Sequence, residues 1–314
     1  MKGRLLVAAV GVPLLLVILL VCPKLVTALT LAFLSAVAAQ EMLRTTGILK
    51  HKRMLVYSTV MAALIPVWSY FGLNVRIGAA VALGFGLLLF LEAVIAFPTV
   101  KFESVTGCLF AGIVVPLCLS SILRILMPEN GRLLVLVPIM IPFIADAGAY
   151  FAGRFLGKHK MAPVLSPKKT VEGAVGGVLT GVVSMVIYGL VMDLGFDQDY
   201  NYLFGCVYGL LGSLVSIVGD LTFSMVKRET GIKDYGTIFG AHGGVLDRFD
   251  SVVFAAPVVE LLLPIVRTAL SMVADCGHQI WNCTLETPDG ISSSTVALPP
   301  DGVAVHLTSF QSLV

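Results

Sequence analysis

Nine long apolar runs dominate the sequence and limit what it can fold into. They occupy residues 5–21, 25–40, 54–71, 77–96, 106–126, 133–151, 175–191, 202–221 and 252–272. A helix needs roughly 20 mostly apolar residues to cross a bilayer, and backbone groups in lipid must be hydrogen-bonded within the segment. Charged residues make up only 13% of the chain, about half of the ~25% usual in a soluble domain. The sequence therefore predicts an all-α polytopic integral membrane protein with about nine transmembrane helices.

The first run follows a basic amino terminus that contains Lys2 and Arg4, as a signal peptide does. However, the run at 5–21 is long for the apolar part of a signal peptide, and no clear small-residue cleavage site follows it. We therefore expect it to be retained as the first span.

Lysines and arginines concentrate in the loops after the second, fourth, sixth and eighth runs, on the same side as the amino terminus. Short loops rich in these residues stay in the cytoplasm. The polar loops are therefore predicted to face the cytoplasm, with Arg124 and Arg132 as exceptions on the outer side.

Three regions follow from this pattern. Residues 1–130 hold about five spans, and residues 131–273 hold the remaining spans together with the polar cytoplasmic loops. Residues 274–314 form a polar tail, for which disorder is the default expectation. If the tail is exported, Cys276 and Cys283 could form a disulfide, and the sequence leaves this pairing open.

The first polar segment, residues 146–177, combines a buried acid with phosphate-binding residue types. Asp146 stands in an apolar run, where an ionisable group is a functional candidate by default. Lys168 and Lys169 offer compact cations for phosphate, and Ser166 adds a neutral donor. The alternatives are an Asp146 that pairs within the helix bundle and a basic loop that binds anionic lipid headgroups.

The second polar segment, residues 219–251, contains three acids near the membrane face. Asp220 ends an apolar run, and Asp247 and Asp250 open the next one on a shared helical face. Clustered carboxylates repel each other and need cations or a metal ion, and oxygen ligands of this kind favour Mg²⁺. The alternative is a salt-bridge network that joins two helix ends.

The same segment has four cations, one more than the three acids near the membrane face. They are Lys227, Arg228, Lys233 and Arg248. The combination indicates a substrate with several phosphates. His242 is a candidate base or phosphate donor, or alternatively a structural histidine.

The second segment resembles the signature of phosphatidate cytidylyltransferases, also called CDP-diacylglycerol synthases. The matching residues are Ser224, Lys227, Arg228, Lys233, Asp234, His242, Gly243, Gly244, Asp247, Arg248 and Asp250. The first segment also resembles this family, at Asp146, Ala149, Tyr150 and residues 157–160, 166–170 and 172–173. The likeness covers roughly residues 133–272, whereas the first four spans match only in hydrophobicity.

The resemblance implies a nucleotidyltransferase that moves a cytidylyl group from CTP to phosphatidate in phospholipid biosynthesis and releases pyrophosphate. The predicted catalytic residues are Asp220, Asp247, Asp250, Lys227, Arg228 and His242. The predicted substrate-binding residues are Lys168, Lys169, Ser166, Lys233, Arg248 and Asp146. Asp220, Asp247 and Asp250 are the predicted ligands of one or two magnesium ions.

The expected partners are CTP, phosphatidic acid and membrane lipids, with no nucleic acid, and the sequence leaves open whether the protein forms a homodimer. The expected location is the inner or plasma membrane of a bacterium, with the active site facing the cytoplasm.

Two other functions fit parts of the pattern. A polyprenol or phytol kinase would also use CTP, but it would transfer the terminal phosphate to an alcohol. A secondary transporter would use Asp146 and Asp220 as an ion or proton relay. Transporters often contain paired repeats with broken helices, and the sequence shows no such symmetry.

Overall fold

A computed structural model describes residues 2–49, 51–72, 74–128, 131–196, 198, 200–238 and 243–281. Most of these residues are helical, so the all-α prediction is confirmed. The helices are α1 (Lys2–Leu20), α2 (Lys24–Thr45), α3 (Lys52–Phe71), α4 (Val75–Ile95), α5 (Phe102–Leu109), α6 (Val115–Leu126), α7 (Gly131–Leu134), α8 (Val137–Leu156), α9 (Val171–Phe196), α10 (Tyr202–Glu229) and α11 (Leu246–Trp281). A π-helical turn, Phe110–Val114, joins α5 to α6.

Seven helical segments of the described chain are long and apolar enough to cross a membrane. They are α2, α3, α4, α5 with α6, α7 with α8, α9 and α10. The first predicted span coincides with α1, which has a shorter apolar stretch at Val10–Leu20, and the last coincides with α11. The protein is an integral membrane protein with many spans.

Several helices extend beyond the predicted spans. Helix α10 continues past residue 221 to Glu229, and α11 continues past residue 272 to Trp281. Hydropathy marks only the stretch that lipid can cover, whereas backbone hydrogen bonding continues into polar residues. Residues 274–281 of the predicted tail are therefore helical. Residues 282–314, and with them Cys283, lie outside the described part, so the disulfide stays a prediction.

Helices α8 and α9 pack closely because small residues face each other along their contact. A Cβ atom at Gly148 would collide with Thr180, and one at Gly176 would collide with Ala152. Small residues at such positions let two membrane helices approach and gain van der Waals contact. This contact places Asp146 of α8 beside the amino-terminal end of α9.

A short β-hairpin, which the sequence did not predict, connects α8 to α9. Strand β1 (Lys160–Ala162) pairs antiparallel with β2 (Ser166–Thr170). Strand β2 runs directly into α9, where the Thr170 hydroxyl accepts a hydrogen bond from the Gly173 amide at 3.1 Å. A threonine of this kind satisfies an otherwise unpaired donor of the first helical turn. The hairpin therefore holds Lys168 and Lys169 at a fixed place beside the helix bundle.

Candidate functional site

A cavity of about 390 Å³ lies between the hairpin and helices α8, α9 and α10. Four predicted site residues line it: Asp146, Lys168, Lys169 and Asp220. The two acids come from two helices, and the two lysines come from β2. Residues from both polar segments therefore meet at one place.

An ion pair closes part of this cavity. The Lys169 ammonium group contacts the Asp220 carboxylate, and each side chain is about one quarter exposed, 25% and 24% respectively. The hydroxyl of Ser224, one turn further along α10, donates to Asp220 Oδ1 at 3.3 Å. This contact ties the hairpin to α10.

Three carboxylates from three helices lie close enough for their charges to interact: Asp146, Asp220 and Asp250. Ser251 contacts two of them, because its hydroxyl donates to Asp146 Oδ2 at 3.3 Å and its amide donates to Asp250 Oδ1 at 2.8 Å. Like charges at this spacing repel each other. The cluster therefore needs positive charge nearby.

Asp247 is held more tightly than the other acids, and its side chain is only 3% exposed. Oδ1 accepts a bond from Lys227 Nζ at 2.9 Å. Oδ2 accepts bonds from the Tyr235 amide at 2.7 Å and the Gly244 amide at 3.0 Å. The preceding residue, Gly243, has a φ of 81°, a conformation that glycine adopts without a steric penalty. Asp247 thus fixes the loop before α11 to the start of that helix.

Lys227 links Asp247 to the carboxylate cluster, because its charge also interacts with Asp250. Its ammonium group lies 5.3 Å from the centre of the Tyr235 ring. Burial raises the pKa of the Tyr235 phenol, which stays neutral and donates to the Phe223 carbonyl at 2.9 Å. A neutral aromatic face and two acids therefore surround this lysine.

Glu172, in the first turn of α9, anchors the start of the hairpin. Its carboxylate accepts bonds from the Lys158 amide at 3.0 Å and the His159 amide at 3.2 Å. The His159 ring nitrogen Nδ1 lies 2.5 Å from Glu172 Oε1. At the other end, Arg228 Nε donates to the Leu165 carbonyl at 3.1 Å, so α9 and α10 both support the hairpin.

The remaining predicted site residues are placed less centrally. Ser166 lies half-buried in β2. Lys233 and Arg248 are exposed, and neither is among the described residues that line the cavity. His242 lies outside the described residues. In the part of the chain that is described, no three Asp, Glu, His or Cys side chains are close enough together to hold a metal ion. The magnesium site stays a prediction.

Several residues at this site were not among the predicted site residues. Tyr150, which the family resemblance includes, and Arg154 line the cavity. Thr45 of α2 contacts the loop before α11, and Glu41 contacts the first residue of α11. Glu41 directly follows the predicted span at 25–40, so hydropathy alone places it in a loop. An acid at the end of an apolar run was the signal that could have identified it, as it identified Asp220.

Comparison with known proteins identifies the family of this chain. The model of the cytidylyltransferase family matches residues 2–266 of the chain. The chain belongs to this family. The match includes the first four spans, for which the motifs alone gave no specific likeness.

Three bacterial relatives of the chain share one name. The chain is 42% identical over 147 residues to phosphatidate cytidylyltransferase from Synechocystis sp., covering 45% of this chain and 48% of the relative. It is 37% identical over 130 residues to the Haemophilus influenzae protein of that name, covering 41% and 45%. It is 36% identical over 137 residues to the Staphylococcus aureus protein, covering 43% and 50%. The matches thus span about half the length of the curated relatives.

Proposed function

We propose that this protein transfers the cytidylyl group of CTP to phosphatidate, giving CDP-diacylglycerol and pyrophosphate. The observation that carries the proposal is the cavity in which Lys168 and Lys169 of the hairpin meet Asp146 and Asp220 of two helices. Membership of the cytidylyltransferase family and the names of the relatives support this reaction. The cavity supplies a place where two polyanions could be brought together.

The chemistry requires charge neutralisation more than proton transfer. A phosphate oxygen of phosphatidate, already ionised at neutral pH, attacks the α-phosphorus of CTP, and the bond to the β-phosphate breaks. Pyrophosphate leaves with the electron pair of that bond. Positively charged side chains that are fixed in place before the reaction stabilise the charge that develops on the leaving group. We assign this role to Lys168 and Lys169, with Lys227 and Arg228 supporting the site from α10.

The donor chemistry of the acids fits magnesium, because carboxylate oxygens together with substrate phosphates are its usual ligands. When bound, the metal would neutralise charge on the triphosphate. We assign Asp220 and Asp250 as the main carboxylates that would hold it. Asp247 remains a predicted ligand, although its oxygens already accept three hydrogen bonds from the protein.

The lipid substrate is expected to enter from the bilayer side of the cavity. Tyr150 and Arg154, one turn apart on α8, both line the cavity and are exposed, and the Arg154 guanidinium donates to the Tyr150 hydroxyl at 2.9 Å. Tyrosine and arginine suit the interface between lipid and water, where each keeps its polar end wet. We infer that the cavity faces the cytoplasm of a bacterial cell, from which CTP would arrive.

The test is an assay of the purified protein with phosphatidate, Mg²⁺ and CTP labelled either at the α- or at the γ-phosphate. The proposal predicts that α-label enters the lipid, that γ-label is released as pyrophosphate, and that a chelator stops the reaction. Transfer of γ-label to a lipid alcohol would instead indicate a kinase. The absence of any CTP-dependent product would contradict the proposal.

A further inference from the structure

Glu41 is a buried acid in α2, in the region of residues 1–130, which contributes no predicted site residue. The residue is 8% exposed, and its Oε2 atom accepts a hydrogen bond from the Leu246 amide at 3.0 Å. Leu246 is the first residue of α11, directly before Asp247. The amides of a first helical turn have no partner within the helix. Glu41 therefore satisfies the Leu246 amide, directly before the buried acid Asp247.

The loop before α11 leaves room for this carboxylate. A Cβ atom at Gly236 or at Gly244 would collide with the Glu41 carboxylate. Both positions therefore need a residue without a side chain as long as Glu41 is present. The carboxylate fills the space between two parts of the same loop.

A second contact from α2 holds the loop nearby. The hydroxyl of Thr45, one turn after Glu41, donates to the Tyr235 carbonyl at 2.6 Å. The amides of Tyr235 and Gly244 are the two backbone donors to Asp247. The same short stretches of loop are therefore held by α2 on one side and by Asp247 on the other.

We propose that Glu41, assisted by Thr45, is a positioning residue that fixes the Asp247–Lys227 pair through the amino terminus of α11. An oxygen at a helix amino terminus is favourable because it accepts a hydrogen bond from an amide that the helix itself leaves unpaired. Glu41 does not line the described cavity, so its effect on the site passes through the loop and α11. The kinetic part of this inference rests on the proposed function.

Four variants of the full-length protein test this role. Glu41→Ala removes the acceptor for the Leu246 amide, whereas Glu41→Gln keeps an oxygen that can accept the same bond. Thr45→Val removes the contact with Tyr235. Thr46→Val is the matched control, because the Thr46 hydroxyl, directly after α2, donates to the Met42 carbonyl at 2.6 Å and accepts a bond from the Ile48 amide at 3.4 Å, and neither partner belongs to the loop before α11.

Two measurements are made on each variant in detergent micelles. Hydrogen exchange reports the protection of amides in residues 231–238 and 243–250. Steady-state kinetics report kcat and KM for CTP separately. Exchange needs no substrate, so it remains informative whatever reaction the protein catalyses.

Glu41→Ala is expected to speed exchange in both loop segments and to lower kcat about tenfold or more, the usual size for a lost supporting contact. KM for CTP should change much less, since Lys168 and Lys169 are untouched. Glu41→Gln should retain most of both properties, Thr45→Val should show a smaller change of the same kind, and Thr46→Val should match the original protein.

Unchanged exchange and kcat in Glu41→Ala and Thr45→Val would overturn the inference. A Glu41→Gln variant as impaired as Glu41→Ala would also overturn it, because the negative charge rather than the hydrogen bond would then be what matters. If the original protein transfers no cytidylyl group, the proposed function fails, while faster exchange in Glu41→Ala still supports the positioning role.

Discussion

Asp247 carries a charge in an almost fully buried place, where Lys227 and two backbone amides surround it. Removing the lysine leaves that charge without a counter-ion. Breaking a buried ion pair on one side typically costs about 3–5 kcal/mol. We therefore expect Lys227→Met to lower the melting temperature in detergent clearly, and to abolish turnover.

The double variant Lys227→Met with Asp247→Asn separates stability from activity. Asparagine keeps an oxygen for the backbone amides of Tyr235 and Gly244 and removes the unpaired charge. Most of the lost thermal stability should return, whereas turnover should not. Equal melting temperatures for the original protein and Lys227→Met would contradict the account of the pair.

Asp220 provides the second prediction at this scale, because it belongs both to the carboxylate cluster and to the pair with Lys169. Asp220→Asn preserves shape but removes the charge. We expect turnover to fall by about 10²–10³, the usual cost of losing one electrostatic contribution to a transition state, because the variant loses a carboxylate that would hold the metal ion and the partner of Lys169. The label-transfer assay measures this directly.

Asp193→Asn is the matched control for Asp220→Asn. Asp193, near the other end of α9, binds the Tyr200 amide at 2.8 Å and the Tyr202 hydroxyl at 2.5 Å. It is an acid with hydrogen-bond partners but away from the cavity, so turnover should stay near the original value. A comparable loss in both variants would mean that Asp220 acts through folding rather than chemistry.

Single residues of the site were predictable where an acid interrupts an apolar run, as Asp146 and Asp220 do. Their neighbours were not predictable, because a contact between helices that are distant in sequence produces no pattern in the local sequence. The contact of Glu41 with Leu246 joins residues 205 positions apart. Sequence reasoning thus found charged members of the site but not the contacts that order them.

The β-hairpin is the element that brings Lys168 and Lys169 to the cavity, and Glu172 holds the two residues before its first strand. Glu172→Ala removes the acceptor of the Lys158 and His159 amides. We expect KM for CTP to rise about tenfold, with a smaller effect on kcat, because the lysines lose their fixed position but remain present. Steady-state kinetics with varied CTP measure both constants.

The control for Glu172→Ala is Glu103→Ala, which changes an exposed acid in the first turn of α5. That variant should have the original KM and kcat. If Glu172→Ala also leaves KM for CTP unchanged, the hairpin does not bind the nucleotide.

At the level of elements, hydropathy predicted the existence of helices better than their ends. It responds to lipid contact, and so it located α9 and α10 but placed the end of α10 eight residues early, at 221 rather than Glu229. The hairpin was not predicted because its strands are short and charged. Such a segment shows neither an apolar run nor an alternation of apolar and polar residues. Charge density marked the segment as functional without revealing its structure.

Across the whole molecule, one exception to the charge rule has a structural cause. Arg124 lies on the predicted outer side, but its guanidinium binds Glu260 of α11 at 2.6 and 2.8 Å and the Ser121 hydroxyl at 2.9 Å. Ionisable residues in membrane segments usually pair with one another. A paired arginine joins two helices and carries little information about orientation. Arg124 therefore does not weaken the orientation that the Lys and Arg residues of the loops predict.

Orientation is the last prediction, and α9 is the helix that tests it. Its 26 residues span about 39 Å at 1.5 Å per residue, more than the ~30 Å core of a bilayer. Val164 in the hairpin and Leu194 near the end of α9 are similarly exposed, 84% and 86%. Single cysteines there, in a background without the native cysteines, should react with an impermeant maleimide from opposite sides. The excess of Lys and Arg in the loops predicts that the thiol of Val164→Cys lies on the cytoplasmic side. The reversed pattern would put the cavity on the side where CTP is absent, and would contradict the proposed reaction together with the orientation.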